Sequence, residues 1–333
     1  MRALALTFGD ADCASTFYRI LQYIEPLRSR GVVVEAFPAR TFADWHSVAD
    51  YDAVLVQKKL LPAGRVRWLR RRAKCLIYET DDAVWEPHGR PHHWLTRWRT
   101  RLRARKISET ATICVAANQI LAGALRQWNS RVEVLPMALD ELIWPQKPAL
   151  AEGNVPVRIG WSGAPVNLAY LEAIEPALLA VQKRNPNAQF AVFSGRKPAF
   201  RELVFDFLPF KPGTESEVIR NFDIGLLPLP EGKFSEAKSP IKGLQYMASG
   251  IPTVASLRRA TRELFADGGG ARFAEAESDW VKALEQLVRD PASRREMGRL
   301  ARAQFLQAHS IATMAPRLAQ LLQAAAKSAP ATP

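Results

Sequence analysis

Short apolar runs alternate with longer stretches of helical periodicity along most of the chain. Apolar runs of about four to eight residues bounded by turn residues are typical of buried parallel strands. Their alternation with helical segments predicts an α/β fold. The predicted strands are 3–8, 32–37, 52–57, 75–79, 112–116, 132–136, 157–161, 189–194 and 223–229. The predicted helices are 17–30, 118–128, 168–184, 277–288, 293–308 and 311–326.

The stretch PQKPALAEGNVP, rich in Pro and Gly, interrupts this alternation near the middle of the chain. A length of 333 residues fits about two domains. We therefore predict an N-terminal domain over 1–147, a linker over 148–156 and a second domain over 157–308. A helix and tail over 309–333 complete the chain.

Charge indicates the class of partner, and cysteine content indicates the cellular compartment. The net charge of +13 predicts a negatively charged partner, which is a nucleic acid, an anionic membrane surface or a phosphorylated substrate. The three cysteines are scattered, which is typical of free thiols in a reducing compartment. No apolar run approaches the roughly 20 residues that span a bilayer, and MRALALTF is better read as a strand than as a signal peptide. We expect a cytoplasmic protein, with peripheral membrane attachment left open.

The segment 221–256 carries the main functional signal, because it predicts a strand, a basic loop, a helix and another strand in succession. Ser239 is placed to cap a helix with Pro240 in its first turn. Lys238 and Lys242 bracket that turn. Cations there oppose the helix dipole, so they indicate an anionic ligand such as a phosphate. The alternative is that both lysines are solvated surface residues.

The run KSPIKGLQYMASGIPTVAS resembles the donor-binding segment of retaining glycosyltransferases of family 4, which use nucleotide sugars. Many members have two glutamates seven residues apart, where this chain has Ala237 and Gln245. The variant with Lys238, Lys242 and Gln-Tyr-Met-Ala is itself similar to a subgroup, as is the run Asp-Asp-Ala-Val-Trp. The resemblance implies the GT-B fold, an α/β architecture of two Rossmann-like domains with parallel sheets facing a cleft. It also implies that the last helix returns to the N-terminal domain.

The resemblance further implies a donor site. Lys238 and Lys242, with the amides near Ser239, would stabilise the leaving diphosphate without a metal, and Gln245 would bind the ribose. Arg19 has an alternative interpretation as an ordinary exposed helix residue. The predicted donor-binding residues are Gly9, Ser15, Arg19, Gly160, Ser162, Gly163, Ser239, Pro240, Ile241 and Gln245.

Acidic and aromatic residues follow the predicted strand 75–79. Ligands of parallel sheets bind outside the carboxyl ends of the strands, where Glu79, Asp81, Asp82 and Trp85 would lie. We predict that Asp82 acts in catalysis on an acceptor hydroxyl, and that Glu79, Asp81 and Trp85 bind the acceptor. The alternative is that Asp81 only caps a turn and Trp85 only anchors the core.

Arginines accumulate over 90–106, where no acid occurs and Trp94, Leu95, Trp98 and Leu102 recur at near-helical spacing. This pattern is typical of a basic amphipathic helix on an anionic membrane. An RNA surface would use the same residue types, and a third interpretation has the tryptophans packing on their own domain. His88, His92 and His93 do not predict a metal site, because prolines interrupt the segment and no further ligand completes a known spacing.

The resemblance, which extends over nearly the whole chain, implies a retaining glycosyltransferase. It would move a sugar from a UDP- or GDP-linked donor to a hydroxyl of a glycan or lipid-linked glycan in cell-envelope synthesis. No cofactor, metal or nucleic acid is expected, and the location is cytoplasmic or peripheral on the inner face of the cell membrane. Two alternatives are a non-catalytic basic protein that binds RNA or anionic lipid, and a homologue made inactive by Ala237 and Gln245.

Overall fold

The computed structural model describes residues 1–87, 93–148, 156–265 and 269–328. The chain forms two compact units. The first comprises Met1–Asp140, Glu236–Ser239 and the residues from Ala308 onward, and the second comprises Glu141–Ser235 and Pro240–Gln307. The predicted linker over 148–156 falls mostly outside the described residues, so the predicted domain boundary stays a prediction.

The first unit contains a six-stranded sheet in which all neighbouring strands are parallel. Its spatial order is β2-β1-β3-β4-β5-β6. The central strands β3, β4 and β5 are buried along their whole length, which explains their continuous apolar sequences. The strands are β1 (Arg2–Thr7), β2 (Val33–Pro38), β3 (Ala53–Gln57), β4 (Leu76–Thr80), β5 (Ile113–Ala116) and β6 (Val132–Val134).

Helices of different lengths connect these strands. The predicted helix 17–30 is broken, because its residues form two short α-helices with a 3₁₀ turn at Leu21–Tyr23 between them. Another 3₁₀ turn spans Trp45–Asp50. The α-helices are α1 (Ala14–Arg19), α2 (Ile24–Arg28), α3 (Ala63–Arg72), α4 (Trp94–Thr110) and α5 (Gln119–Leu125).

The second unit repeats this architecture with a six-stranded parallel sheet in the order β12-β11-β10-β7-β8-β9. The strands are β7 (Val157–Ser162), β8 (Ala188–Ser194), β9 (Phe205–Pro209), β10 (Ile224–Leu227), β11 (Thr253–Ser256) and β12 (Ala271–Ala274). The predicted helix 168–184 is two helices, the second of which begins with a proline in its first turn.

The α-helices from residue 168 to residue 308 are α6 (Leu168–Glu172), α7 (Glu175–Arg184), α8 (Glu215–Ile219), α9 (Lys233–Ala237), α10 (Ile241–Ala248), α11 (Arg259–Leu264), α12 (Glu277–Arg289) and α13 (Pro291–Ala308). A 3₁₀ turn spans Pro165–Asn167. The core of the second unit lies where α7 and α12 cover the sheet, and Trp280 and Leu284 of α12 are fully buried there.

The last helix, α14 (Ile311–Lys327), lies in the first unit. Ser310 caps it by accepting a hydrogen bond from the amide of Thr313. Met314, Leu318 and Leu322 share one face and are buried in the same core as β1, β3 and β4. None of the described helices is long and apolar enough to cross a membrane. The two parallel sheets with their helices confirm the predicted α/β class.

Candidate functional site

A half-buried lysine and two aspartates meet at the carboxyl edge of the first sheet. Lys58 directly follows β3, and Asp81 and Asp82 directly follow β4. Lys58 Nζ lies 3.0 Å from Asp81 Oδ1 and also forms an ion pair with Asp82. Lys58 has a φ of 57°, in the left-handed region that a non-glycine residue rarely adopts. The sheet thus places one cation against two consecutive carboxylates.

The pKa values of the two aspartates are shifted in opposite directions. Burial raises the pKa of each, but Lys58 and the Ser15 hydroxyl outweigh burial at Asp81 and lower its pKa below the usual value. Burial and the neighbouring charge of Asp81 raise the pKa of Asp82. Burial would lower the pKa of Lys58, but the two carboxylates raise it. Lys58 is therefore charged, Asp81 is ionised, and Asp82 is the more basic carboxylate.

The loop after β1 is fixed beside this cluster. Ser15 Oγ donates to Asp81 Oδ2 at 2.7 Å, and Gln57 Nε2 donates to the Ser15 carbonyl at 2.8 Å. Gln57 Oε1 accepts from the amide of Phe8 at 3.0 Å. A Cβ on Gly9 would lie 2.7 Å from the Cβ of Cys13, so the close turn requires glycine. Ser15 is thus held against Asp81, and Gly9 lies in the tight turn just before the helix that carries Ser15.

Arg19 and Glu79 lie in the core of the first unit. Arg19 Nε is 2.6 Å from Glu79 Oε1, and their side chains are 1% and 4% exposed. Arg19 Nη1 also donates to the carbonyls of Leu135 and Pro136 at 3.0 and 3.1 Å. Burial raises the pKa of Glu79 to about 7 despite the arginine. The structure therefore gives Arg19 the contacts of a core ion pair, in contrast to the exposed-helix interpretation.

Trp85 is 7% exposed and packs edge-to-face on Trp128, with ring centroids 5.3 Å apart. This contact matches the alternative interpretation of Trp85 as a core anchor. His88, Arg90 and His92 lie outside the described residues, and His93 Nδ1 accepts from the amide of Leu95 at the start of α4.

Ser239 does not cap the helix that follows it. Asn118 Nδ2 donates to the Ala237 carbonyl at 2.9 Å and to Ser239 Oγ at 3.4 Å. The cap position of α10 is Pro240, which has no hydrogen-bonding side chain. The predicted cap was wrong because the Ser239 side chain is turned toward Asn118.

Lys238 belongs to the first unit with the aspartate pair. Burial lowers its pKa, Asp82 raises it, and Lys58 lowers it further. In the described parts of the chain, Lys238 forms no ion pair. A half-buried ammonium with a lowered pKa is a cation that an added anion would stabilise.

The N-terminus of α10 is the corresponding feature of the second unit. Ile241, Lys242 and Gly243 form its first turn, and the N-cap residue, Pro240, makes no side-chain hydrogen bond to their amides. Burial lowers the pKa of Lys242 to about 8, opposed only by the charge of Glu215. Across the described ranges no carboxylate lies within ion-pairing distance of Lys242. Gln245, one turn further along, is buried at 1% exposure.

The end of β7 is hydrogen-bonded to this helix. Tyr246 of α10 accepts a hydrogen bond from the amide of Ser162 at 3.1 Å and donates to the Leu226 carbonyl at 3.2 Å. A Cβ on Gly160 would lie 2.1 Å from the ring of Phe222, and one on Gly163 would lie 2.3 Å from the ring of Trp161. Both glycines are therefore required by packing.

The structure brings the predicted residues together in two groups. In the first unit, Lys58 pairs with Asp81 and Asp82, Ser15 donates to Asp81, and Lys238 lies near enough to Asp82 and Lys58 for their charges to shift its pKa. In the second unit, Pro240, Ile241 and Lys242 form the start of α10, and Ser162 bonds to Tyr246 of the same helix. Lys58 was missed by sequence reasoning, although its position directly after a buried strand is the same signal that identified the aspartates.

Residues 176–323 match the glycosyl transferase-like family model. No curated protein sequence matches the chain. Among solved structures, the chain is similar to sucrose-phosphate synthase from Thermosynechococcus elongatus, with a TM-score of 0.72 and 13% identity over 97% of this chain and 98% of that one.

The chain is also similar to Anabaena HepE in complex with UDP and glucose, with a TM-score of 0.70 and 14% identity over 97% of this chain and 100% of that one. A third similar structure is WaaG, a glycosyltransferase involved in lipopolysaccharide biosynthesis, with a TM-score of 0.64 and 11% identity over 97% and 99% of the two chains. These likenesses confirm the predicted GT-B fold of two Rossmann-like domains. The family match is confined to residues 176–323, whereas the shared fold extends over 97% of the chain.

Proposed function

We propose that the protein is a retaining glycosyltransferase of the family 4 type that moves a sugar from a nucleoside diphosphate to an acceptor hydroxyl. The observation that carries the proposal is the start of α10, where uncapped amides and Lys242 present positive charge with no carboxylate in ion-pairing distance among the described residues. Such a helix N-terminus favours a phosphate. HepE, one of the similar structures, was solved with UDP-glucose, which supports a nucleotide sugar as the donor.

The proposed donor role belongs to the second unit. As the bond between the anomeric carbon and the diphosphate breaks, negative charge develops on the leaving oxygen. The amides of Ile241 and Lys242 and the ammonium of Lys242 would stabilise that charge, because they are already oriented before the reaction. Because these groups supply positive charge, no metal ion would be needed.

The proposed acceptor role belongs to the first unit. Asp82 is the more basic of the two buried carboxylates, because burial and Asp81 raise its pKa. It would accept a hydrogen bond from the acceptor hydroxyl and orient its oxygen toward the anomeric carbon. Lys58 would keep Asp81 ionised and hold Asp82 in position. The acceptor we propose is a glycan or lipid-linked glycan, reached from the cytoplasmic side of the cell membrane.

A thermal-shift screen with UDP, GDP and their sugars tests the donor class. A ligand at about 100 times its dissociation constant should stabilise the fold by about 2.7 kcal/mol. Lys242→Met should abolish the shift and the transfer of labelled sugar, whereas Lys282→Met, at an exposed lysine of α12, should change neither.

Three outcomes would count against the proposal. A nucleotide shift of equal size in the Lys242→Met variant would remove the diphosphate role from α10. A shift without sugar release from any donor would favour the inactive homologue that Ala237 and Gln245 suggest. A shift with RNA or heparin alone would favour the non-catalytic basic protein.

A further inference from the structure

The apolar stripe of α4 faces solvent. Trp94, Trp98 and Leu102 are 66%, 61% and 43% exposed. They are spaced four residues apart, so they lie on one face of the helix. Leu95, 49% exposed, lies beside them. Four large apolar side chains therefore form a continuous exposed strip in a sequence that buries most of its other tryptophans.

The helix packs on the first unit through a different face. Its buried residues are Ala104, Ile107 and Ser108, of which two are small. Leu102 and Ala104, two residues apart, point to opposite sides of the helix. The tryptophans are thus not needed for packing, which contradicts the interpretation that they anchor α4 to its own domain. An exposed strip of this kind marks an interaction surface.

Positive charge surrounds the strip. Helix α3 packs beside α4, and no acid occurs between Asp52 and Glu79 or between Glu86 and Glu109. Glu109 lies at the far end of α4 and is paired with Arg105 at 2.6 Å. The exposed arginines are Arg65, Arg67, Arg71 and Arg72 on α3, and Arg97, Arg99, Arg101 and Arg105 on α4. We call this set of arginines, with the apolar strip, the Trp/Arg face.

We propose that the Trp/Arg face docks the protein on an anionic lipid bilayer. Tryptophan and leucine on one side of a helix, flanked by arginine, match the boundary between lipid headgroups and acyl chains. Two members of the strip, Leu95 and Leu102, have no ring on which a nucleobase could stack, so the strip fits acyl chains better than RNA. This inference goes beyond sugar transfer and rests on residues that take no part in it.

Vesicle binding by the full chain tests the proposal. We expect binding to phosphatidylcholine vesicles that contain phosphatidylglycerol and not to phosphatidylcholine alone, with a blue shift of tryptophan emission and a loss of binding at high salt. Arg97→Gln/Arg101→Gln should weaken binding on the order of tenfold or more. Trp94→Ser/Trp98→Ser should remove the blue shift and most of the binding.

Matched controls come from exposed sites of the second unit. Arg262→Gln/Arg295→Gln changes the net charge by the same amount, and Val204→Ser removes an apolar side chain that is 74% exposed. Both should bind as the unmodified protein does. Trp94→Tyr/Trp98→Tyr keeps interfacial aromatics and should retain binding, which separates the effect from misfolding.

The proposal is overturned if the unmodified protein ignores anionic vesicles. It is also overturned if the arginine and tryptophan variants lose binding to single-stranded RNA while vesicle binding is unchanged. A tryptophan variant that turns a dimer into a monomer without any vesicle binding would assign the face to a second copy of the chain. The nucleotide thermal shift should be the same in all these variants, so failure here is distinct from failure of the proposed transfer.

Discussion

Lys242 should take up a proton when the protein binds a nucleoside diphosphate. Its pKa is about 8 without ligand, because burial disfavours the charged form. A diphosphate at the start of α10 favours the ammonium and raises that pKa. Between about pH 8 and the higher pKa of the complex, uptake should approach one proton per ligand, and affinity should fall about tenfold per pH unit.

The burial of Lys242 should also destabilise the folded state of the ligand-free protein. A pKa lowered from 10.5 to about 8 corresponds to about 3 kcal/mol of destabilisation of the folded state. The folded pKa lies below the unfolded one, so this cost is fully present below about pH 8 and is relieved as pH rises toward 10.5. Lys242→Met without ligand should therefore melt several degrees higher than the unmodified protein near pH 7, and the difference should shrink in alkali.

Isothermal titration calorimetry of UDP or GDP near pH 9, in buffers of different ionisation enthalpy, measures the proton uptake directly. Lys242→Met should lose most of it, and Lys282→Met should keep it. Equal uptake in Lys242→Met, or an affinity that does not change between about pH 7 and pH 9, would refute the reasoning. So would a Lys242→Met variant that is less stable than the unmodified protein at neutral pH.

Three further changes test the rest of the site. Lys58→Met leaves two buried carboxylates without their cation and should lower the free energy of unfolding by about 3–5 kcal/mol in denaturant titrations; adding Asp82→Asn should recover part of that loss, and no recovery would contradict the pairing. Arg19→Met should lower the melting temperature, because it leaves Glu79 without its ion-pair partner, and the KM for the donor should stay unchanged. A raised donor KM with an unchanged melting temperature would instead support a donor-binding role for Arg19. Transfer should survive EDTA, because lysines supply the positive charge, and activity that is lost and then restored by Mg²⁺ would contradict this.

The strands could be predicted because buried parallel strands have continuous apolar sequences, as in Ala53–Gln57 and Leu76–Thr80. Strand β9 was missed, since it lies at the sheet edge with alternating exposure and a proline at its end. The helix breaks in 17–30 and 168–184 were also missed. Pro176 signals the second break, because it starts a helix more readily than it continues one.

The site was predicted in part. Asp81 and Asp82 were found because they follow a buried strand, and the rule applies equally to Lys58. The cap at Ser239 was wrong because a residue distant in sequence, Asn118, competes for its hydroxyl. No local pattern could predict that contact. The outward orientation of Trp94 likewise depends on which face of α4 the first unit buries, which periodicity alone leaves undetermined.

Tyr246 joins three elements of the second unit through one hydroxyl. It accepts from the amide of Ser162 at the end of β7 and donates to the carbonyl of Leu226 in β10, while its own backbone lies in α10. The helix that carries Lys242 and the strand end that carries Ser162 therefore cannot shift independently without breaking a buried hydrogen bond. Displacement of either element by a ligand would therefore displace the other. Tyr246→Phe should remove this coupling while the aromatic ring still fills its place in the core.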